Sequence, residues 1–385
     1  MFKGRTYGQI AQMVYYPWGI SDVNKIIALD DTIVPTKVKY TEASGLPDLE
    51  ADLVGQLSSA SIPDISSVQS IDIGNRVYSI RFSTFENCTN LTRVVIPDSV
   101  TSIEHEAFSS CSGLASVTIG NNLSVIGYEA FYGCSSLSSV AIPGSVTIIG
   151  NHAFDECSGL TSATIGNGVT NIGEFAFLGC SGLTNVAIPD SVTDIGSSAF
   201  DSCTGLTSME IPNSVTSIGN EAFYNCSALT SLTISESVDS IGRATFYGCS
   251  GLTSVVIPDS VTEIGNGAFQ ECSGLSSATI GDNVTSIKRD AFSGCSSLKN
   301  INSNDGVYLY DGIQTIGENA FYNSGIEKLS FNNIAAMGID SNAFSGCNQL
   351  TEVVVRGVTT HEAMSLENYP WGISNENIIR GDRGV

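Results

Sequence analysis

Residues Cys180 to Ser202 read CSGLTNVAIPDSVTDIGSSAFDS, and most of the chain consists of variants of this 23-residue stretch. Cysteine recurs at this interval from Cys88 to Cys295, and phenylalanine does so from Phe85 to Phe292. A fixed period of this length predicts a solenoid in which each repeat forms one coil and stacks on the next.

The pattern within one coil predicts a short strand, a turn and a second apolar patch. Val186 and Ile188 alternate with polar residues, as in a strand with one buried face. Pro189 to Ser191 then form a turn, because proline presets the backbone angle φ. Ala199 to Cys203 add apolar residues at helix-like spacing. Since one coil cannot cover its own apolar residues, stacking aligns them into the rows of one continuous core.

The repeat pattern L-x-x-V/I-x-I-P-x-S-V-T-x-I-G-x-x-A-F-x-x-C-S-G resembles the BspA-like class of leucine-rich repeats. This resemblance implies a right-handed superhelix of short parallel strands. It also implies a role in binding rather than catalysis, often at the surface of bacteria or protists.

The breaks in the period divide the chain into four parts. Residues 1–35 are predicted to form an N-terminal helix and hairpin module with the hexapeptide YPWGIS, and 36–67 an N-terminal cap. Residues 68–358 form the solenoid of about twelve coils, with an insertion near 302–312 that we expect to protrude as a hairpin. Residues 359–385 form a C-terminal helix and turn module with a second YPWGIS.

The cysteines are expected to be buried free thiols. Stacked coils lie about 4.8 Å apart with their Cβ atoms pointing the same way, whereas a disulfide needs converging Cβ atoms about 3.8 Å apart. No CxxC motif or cysteine–histidine cluster predicts a zinc site, and no motif predicts a cofactor.

Composition limits the partners. The net charge is −23, which disfavours nucleic acid and anionic membrane surfaces, since both attract basic proteins. No apolar run is long enough for a transmembrane helix, so membrane insertion is not expected.

The strand face that points away from the core is the first candidate binding surface. Its hydroxyl and amide groups could meet a host surface protein or a glycan through many hydrogen bonds, although such residues also serve simply to solubilise a strand face. The candidates are Thr161, Ser162, Thr164, Thr184, Asn185, Thr207, Ser208, Thr230, Ser231, Thr253 and Ser254. We expect no aromatic side chains on this face.

Aromatic residues form two further candidate sites. Tyrosine follows the repeated phenylalanine at Tyr132, Tyr224, Tyr247 and Tyr322, where it could contact a partner or only pack between coils. Trp18 and Trp371 lie in the two YPWGIS copies and are candidates for self-association or virion docking, the alternative being that these segments cap the solenoid. Arg380 to Asp382 form an integrin-type tripeptide, and we expect this tripeptide to lie in an exposed tail.

Three functions remain open. The first is a non-enzymatic binding protein on a phage virion, a fibre or receptor-binding appendage, because Met1 to Ile10 lack the apolar segment of a secretory signal. The second is a bacterial cell-surface or secreted adhesin, as the resemblance implies. The third, an enzyme on a solenoid scaffold, is disfavoured because rows of like residues do not gather the unlike groups that catalysis requires.

Overall fold

The computed structural model describes residues 37–42, 49–52, 55–62, 65–310, 312–332 and 338–383. In these residues the chain winds into a β-solenoid of about 14 turns with very little helix. The module predicted for residues 1–35 lies outside the described residues.

Within the described residues, thirty short strands and one short helix make up most of the regular structure. In chain order the strands are β1 Lys37–Glu42, β2 Leu49–Asp52, β3 Gly55–Leu57, β4 Val68–Asp72, β5 Val77–Ile80, β6 Arg93–Val95, β7 Ser102–Ile103, β8 Ser116–Thr118, β9 Val125–Ile126, β10 Ser139–Ile142, β11 Ile148–Ile149, β12 Ser162–Ile165, β13 Asn171–Ile172, β14 Asn185–Ala187, β15 Asp194–Ile195, β16 Ser208–Glu210, β17 Ser217–Ile218, β18 Ser231–Thr233, β19 Ser240–Ile241, β20 Ser254–Ile257, β21 Glu263–Ile264, β22 Ser277–Ile280, β23 Ser286–Ile287, β24 Asn300–Ile301, β25 Val307–Leu309, β26 Thr315–Ile316, β27 Lys328–Asn332, β28 Gly338–Ile339, β29 Glu352–Arg356 and β30 Ile379–Gly381. The helix, α1, spans Thr360–Ala363, and 3₁₀ turns occupy Ser59–Ser61, Ile65–Ser67 and Glu376–Ile378.

Each regular coil contributes two strands, which stack into two separate faces of the solenoid. The first face contains the longer strands, such as β10, β12 and β14, and the second contains the two-residue strands between them, such as β11 and β13. Pairing along both faces is parallel and in register with the sequence period, so that Val140 pairs with Ala163 and Ile149 with Ile172. The period therefore sets the register directly.

The third side of each coil is a run of turns rather than helix. Phe200 N–H donates to the carbonyl of Ala222 in the next coil at 2.8 Å, and Cys203 N–H donates back to Phe200 at 3.2 Å. Backbone N–H and C=O groups that lie outside the strands form their hydrogen bonds in this way. The helix-like spacing from Ala199 to Cys203 therefore reflects successive tight turns.

Twelve phenylalanines form one stack through the core. Their neighbouring ring centroids lie 5.0–5.5 Å apart, and the planes of neighbouring rings are within 14° of parallel. All are buried: Phe85, Phe108, Phe131, Phe154, Phe177, Phe200, Phe223, Phe246, Phe269, Phe292, Phe321 and Phe344. The expected continuous core is present.

Cysteine forms a second buried row beside the phenylalanines. Ten of the eleven thiols are buried, Cys347 is half-buried, and all eleven are free. The thiol of Cys203 donates to the carbonyl of Phe177 at 3.2 Å, and the same bond recurs in the neighbouring coils. The buried thiols agree with the expectation, and each also satisfies a carbonyl of the preceding coil.

The N-terminal edge is built by strands that belong to both faces. Strand β1 pairs antiparallel with both β2 and β4, so it covers the free edge of the first face. Strand β3 instead pairs in parallel with β5 and begins the second face. The solenoid exceeds the expected twelve coils because β3 at this end and β30 at the other both join it.

The insertion is not the predicted hairpin. Strand β24 pairs in parallel with β25, and β25 pairs in parallel with β27, so the extra residues add one strand to the first face. Residues 302–306 form a compact loop, with Lys328 Nζ 2.7 Å from an oxygen of Asp305. Gly306 has a φ of +113° and lies so near Lys328 that a Cβ would clash, so this loop requires glycine.

Candidate binding surfaces

The first face carries the polar residues predicted to form a binding surface. Along β12, Ala163 and Ile165 are buried whereas Ser162 and Thr164 are exposed. Because pairing follows the period, each exposed residue forms a row with its counterparts in other coils. All the predicted residues are exposed along this face: Thr161, Ser162, Thr164, Thr184, Asn185, Thr207, Ser208, Thr230, Ser231, Thr253 and Ser254.

Four threonine hydroxyls of this face already hold adjacent coils together. Oγ1 of Thr184 donates to the carbonyl of Thr161, and Oγ1 of Thr207 donates to that of Thr184, both at 3.2 Å. Thr161 and Thr230 make the equivalent bonds at 2.9 and 3.1 Å. Because a hydroxyl has one proton, these groups can only accept hydrogen bonds from a ligand. The exposed serine row is therefore better suited to donate hydrogen bonds to a ligand.

The predicted tyrosines do not form one continuous surface. Tyr224 and Tyr247 stack with centroids 4.5 Å apart and planes at 8°, and both are half-buried. Tyr132 is also half-buried, whereas Tyr322 is 42% exposed and lies several coils away. Packing between coils accounts for the central pair, and Tyr322 is the most exposed of the four tyrosines.

The prediction of Trp371 as a docking residue is wrong, because the side chain is completely buried in its own chain. Its ring packs edge-on against Phe331 at 5.8 Å, and its carbonyl accepts the Phe344 N–H at 3.0 Å. The carbonyl of Ala343 accepts the equivalent bond from Phe321 one coil earlier. Trp371 thus takes the place of a further coil and caps the solenoid. Trp18 lies outside the described residues.

The tripeptide Arg380 to Asp382 is not a free tail. It begins within β30, which pairs in parallel with β29. Arg380 forms an ion pair with Glu352, and a carboxylate oxygen of Asp382 accepts the Gly357 N–H at 2.6 Å. The segment is part of the C-terminal cap, so its aspartate is already engaged.

The structure also reveals a groove that the sequence did not predict. It has a volume of about 740 Å³ and lies on the first face, against the insertion loop of residues 302–306. Tyr308 of β25 lines it, which contradicts the expectation that this face has no aromatic residue. The guanidinium of Arg356 lies over the Tyr308 ring, 5.3 Å from its centroid. The broken period after Leu298 was the available signal for this site.

A second unpredicted feature is an aromatic cluster near the N-terminal end. The His105 and His152 rings flank Tyr128, with centroid distances of 6.2 and 5.6 Å, and Phe175 stacks on His152 at 4.6 Å. His152 Nδ1 lies 2.7 Å from Oδ2 of Asp155, while Oδ1 of this buried carboxylate has no hydrogen-bond partner. Burial raises the pKa of Asp155, and the His152 hydrogen bond partly offsets the rise. His105 and His152 occupy neighbouring positions of the 23-residue repeat in different coils. They come close together only because the coils stack.

Two further observations bear on the kind of site. Within the described part of the chain, no three histidine, cysteine or acidic side chains lie close enough together to hold a metal ion. Over the same residues, no helix has the length and apolar character needed to cross a bilayer.

The family follows from both the sequence and the fold. The BspA type leucine rich repeat region, which comprises six copies, matches residues 59–183, 170–299 and 262–378. The chain therefore belongs to the BspA-type leucine-rich repeat family. Proteins of this family are typically surface adhesion or binding proteins.

Two solved structures are similar to this chain. A leucine-rich repeat protein from Bacteroides ovatus is 22% identical, with a TM-score of 0.55, and the match covers 92% of this chain and 100% of that one. Another, from Eubacterium ventriosum, is 24% identical with a TM-score of 0.44, over 75% of this chain and 93% of that one. Among curated proteins no relative matches this chain. The first similarity supports the solenoid fold.

Proposed function

We propose that this protein is a non-enzymatic binding protein of the adhesion type that contacts a protein or glycan on a host surface through its first face. The observation that supports this is the repetition of exposed polar residues, coil after coil, in exact parallel register. A long partner can make the same weak contact in each coil, and repeated contacts raise the overall affinity.

The arrangement of polar groups also favours binding over catalysis. The serine-rich exposed row of the first face consists of similar small polar residues from coil to coil: Ser162, Asn185, Ser208, Ser231 and Ser254. A catalytic site needs unlike groups held at fixed distances in one pocket. Membership in a family of repeat-binding proteins supports the same conclusion.

The location of this binding activity has two candidates. A bacterial cell-surface adhesin agrees with the usual location of the family. An appendage of a phage virion remains a prediction. Purified virions of a phage whose genome encodes the chain would contain it if the second assignment is right. Its recovery only from the bacterial envelope would support the first.

The binding proposal can be tested on the first face alone. The triple variant Ser162→Lys, Ser208→Lys and Ser231→Lys places long charged side chains on three strands of this face. The matched control, Asn171→Lys, Ser217→Lys and Ser240→Lys, makes the same charge change nine residues further on in the same coils, on the second face.

Both variants and the parent would be incubated with envelope fractions of candidate host cells, and bound protein would be measured. We expect binding to be lost in the first variant and retained in the control. Equal binding by the first variant and the parent would contradict the assignment of this face.

A further inference from the structure

We propose that the groove beside the insertion binds a polypeptide segment of a partner protein that carries two or more lysine or arginine side chains next to small apolar ones. This inference rests on the proposed binding function and specifies one partner chemistry for one end of the first face. The groove has an apolar floor, a wall built by the insertion and an acidic rim.

The floor of the groove offers apolar contact. Val256 points outward from β20 and is 62% exposed, the largest exposed fraction of any large hydrophobic side chain among the described residues. Thr279 occupies the same outward position one coil further on. A partner that covers Val256 gains apolar burial that this chain does not provide by itself.

The wall of the groove is built by the insertion and is held firmly. Tyr308 stands between the groove and Arg356, whose guanidinium lies over the ring. The Tyr310 hydroxyl donates to the carbonyl of Gly281, which ties the insertion to the preceding coil. Asn302 Oδ1 accepts the Ile280 N–H at 2.8 Å, a second tie across the same boundary. The wall is therefore formed before any partner arrives.

The rim of the groove is acidic. Glu236, Asp259 and Asp282 occupy one sequence position in three successive coils, and all three are exposed. Asp259 Oδ1 accepts the Asp282 N–H at 2.9 Å, which orients that carboxylate along the stack. The residues that line the groove include no lysine or arginine. A cationic partner is therefore favoured, and a net charge of −23 strengthens its attraction.

The spacing of the rim favours several cationic groups over one metal ion. Successive coils in this region are 5.3–5.5 Å apart, as the Phe223, Phe246 and Phe269 rings show. Within the described residues, the three carboxylates do not belong to any group of side chains that could hold a metal ion. Lysine or arginine side chains along an extended peptide can reach separate carboxylates, while its apolar residues cover Val256 and the peptide groups bond to Thr279 and Asn304.

The test uses a fluorescently labelled peptide of sequence Lys-Val-Lys-Val-Lys and its acidic counterpart Glu-Val-Glu-Val-Glu, with binding followed by fluorescence anisotropy. We expect the intact protein to bind the basic peptide, to ignore the acidic one, and to bind less tightly as salt is raised.

Two triple variants, each of which removes three negative charges, test whether the peptide binds at the groove. Glu236→Gln, Asp259→Asn and Asp282→Asn together should weaken basic-peptide binding about tenfold or more. The control combines Asp98→Asn, Glu174→Gln and Asp190→Asn, all exposed and none of them lining the groove, and should leave affinity within about twofold. Equal losses of basic-peptide affinity in the two variants would overturn the proposal, because the peptide would then be attracted by the total charge of the protein and not by the groove.

Two other outcomes are informative. If the neutral sugar maltohexaose binds, and Tyr308→Ala but not the rim variant removes that binding, the groove is a glycan site and the proposal is wrong. The peptide test is also separate from the test of the first face. Failure of the peptide to bind, with envelope binding still sensitive to Ser162→Lys, Ser208→Lys and Ser231→Lys, would reject this inference and leave the proposed function standing.

Discussion

The Phe292 and Phe321 rings stack with centroids 5.5 Å apart and planes within 4°, although 29 residues separate them in the sequence instead of 23. The preceding pair, Phe269 and Phe292, has the regular separation and stacks at 5.3 Å. The core therefore continues unchanged past the insertion. The additional residues are accommodated on the first face alone, where they supply a strand, a loop and the wall of a groove.

Removing residues 302–307 should preserve the solenoid and eliminate the groove. The deletion restores the 23-residue interval and leaves Ile301, Tyr308 and Leu309 in the inward, outward, inward order of Ala278 to Ile280. We expect a single cooperative unfolding transition near that of the parent and loss of basic-peptide binding.

Deleting residues 279–284, which include the buried Ile280 and Val284, is the matched control for that experiment. It has the same length but lies in a regular coil, so it should destabilise the protein strongly. If both deletions are equally damaging, the insertion is a structural part of the solenoid.

Replacing a central phenylalanine should damage the solenoid locally. Phe200→Ala removes a buried ring that stacks on both Phe177 and Phe223, and should cost about 3–5 kcal/mol of unfolding free energy. Because each coil contacts only its neighbours, hydrogen exchange should rise first near the substituted coil. A uniform rise along the chain would show that the coils unfold as one unit.

The cysteine row should be stabilising and slow to react. Cys203→Ala removes a small buried side chain and the thiol that donates to Phe177, at a cost on the order of 1 kcal/mol. Burial raises the pKa of Cys88 to about 11 and that of Cys203 further, so thiolate is scarce near neutral pH.

Thiol titration of the native protein should modify the half-buried Cys347 first, and titration of the unfolded protein should detect all eleven cysteines. Several native disulfides would contradict the description of the row as free thiols.

The C-terminal segment should behave as a cap. Trp371→Ala removes a fully buried indole and should cost about 3–5 kcal/mol, with hydrogen exchange rising first in β29 and around Phe344. Tyr322→Ala, at a partly exposed ring, is the control and should change stability much less. Unchanged stability in the tryptophan variant would contradict the assignment of this segment as a cap.

The buried Asp155 should make stability depend on pH in a predictable direction. Since burial raises its pKa above the ordinary value, its ionisation opposes folding. This penalty is absent below the ordinary aspartate range and develops as pH rises through the elevated pKa. Asp155→Asn keeps an acceptor for His152 Nδ1–H, so it should raise the melting temperature at pH 7 and change it little at pH 3. A lower melting temperature at pH 7 would show that pairing with His152 dominates.

Much of the core was predictable because the period itself carries the information. Residues one repeat apart are neighbours in a stack, so recurring Phe200 and Cys203 positions predict continuous buried rows. The use of Thr184 as a bond between coils was harder to foresee, since an exposed threonine can equally bind solvent or a ligand. The identity between the two YPWGIS segments did not predict that Trp371 would be buried, because burial depends on which surface the segment meets.

The repeat pattern is enough to predict the family, the parallel register and the buried rows, because in a solenoid each coil meets a near copy of itself at a fixed interval. The form of the insertion, the location of Trp371 and the groove on the first face become apparent only in the folded chain. These features depend on contacts made once, such as Lys328 with Asp305 and Phe344 with Trp371. A contact that does not repeat leaves no periodic trace in the sequence.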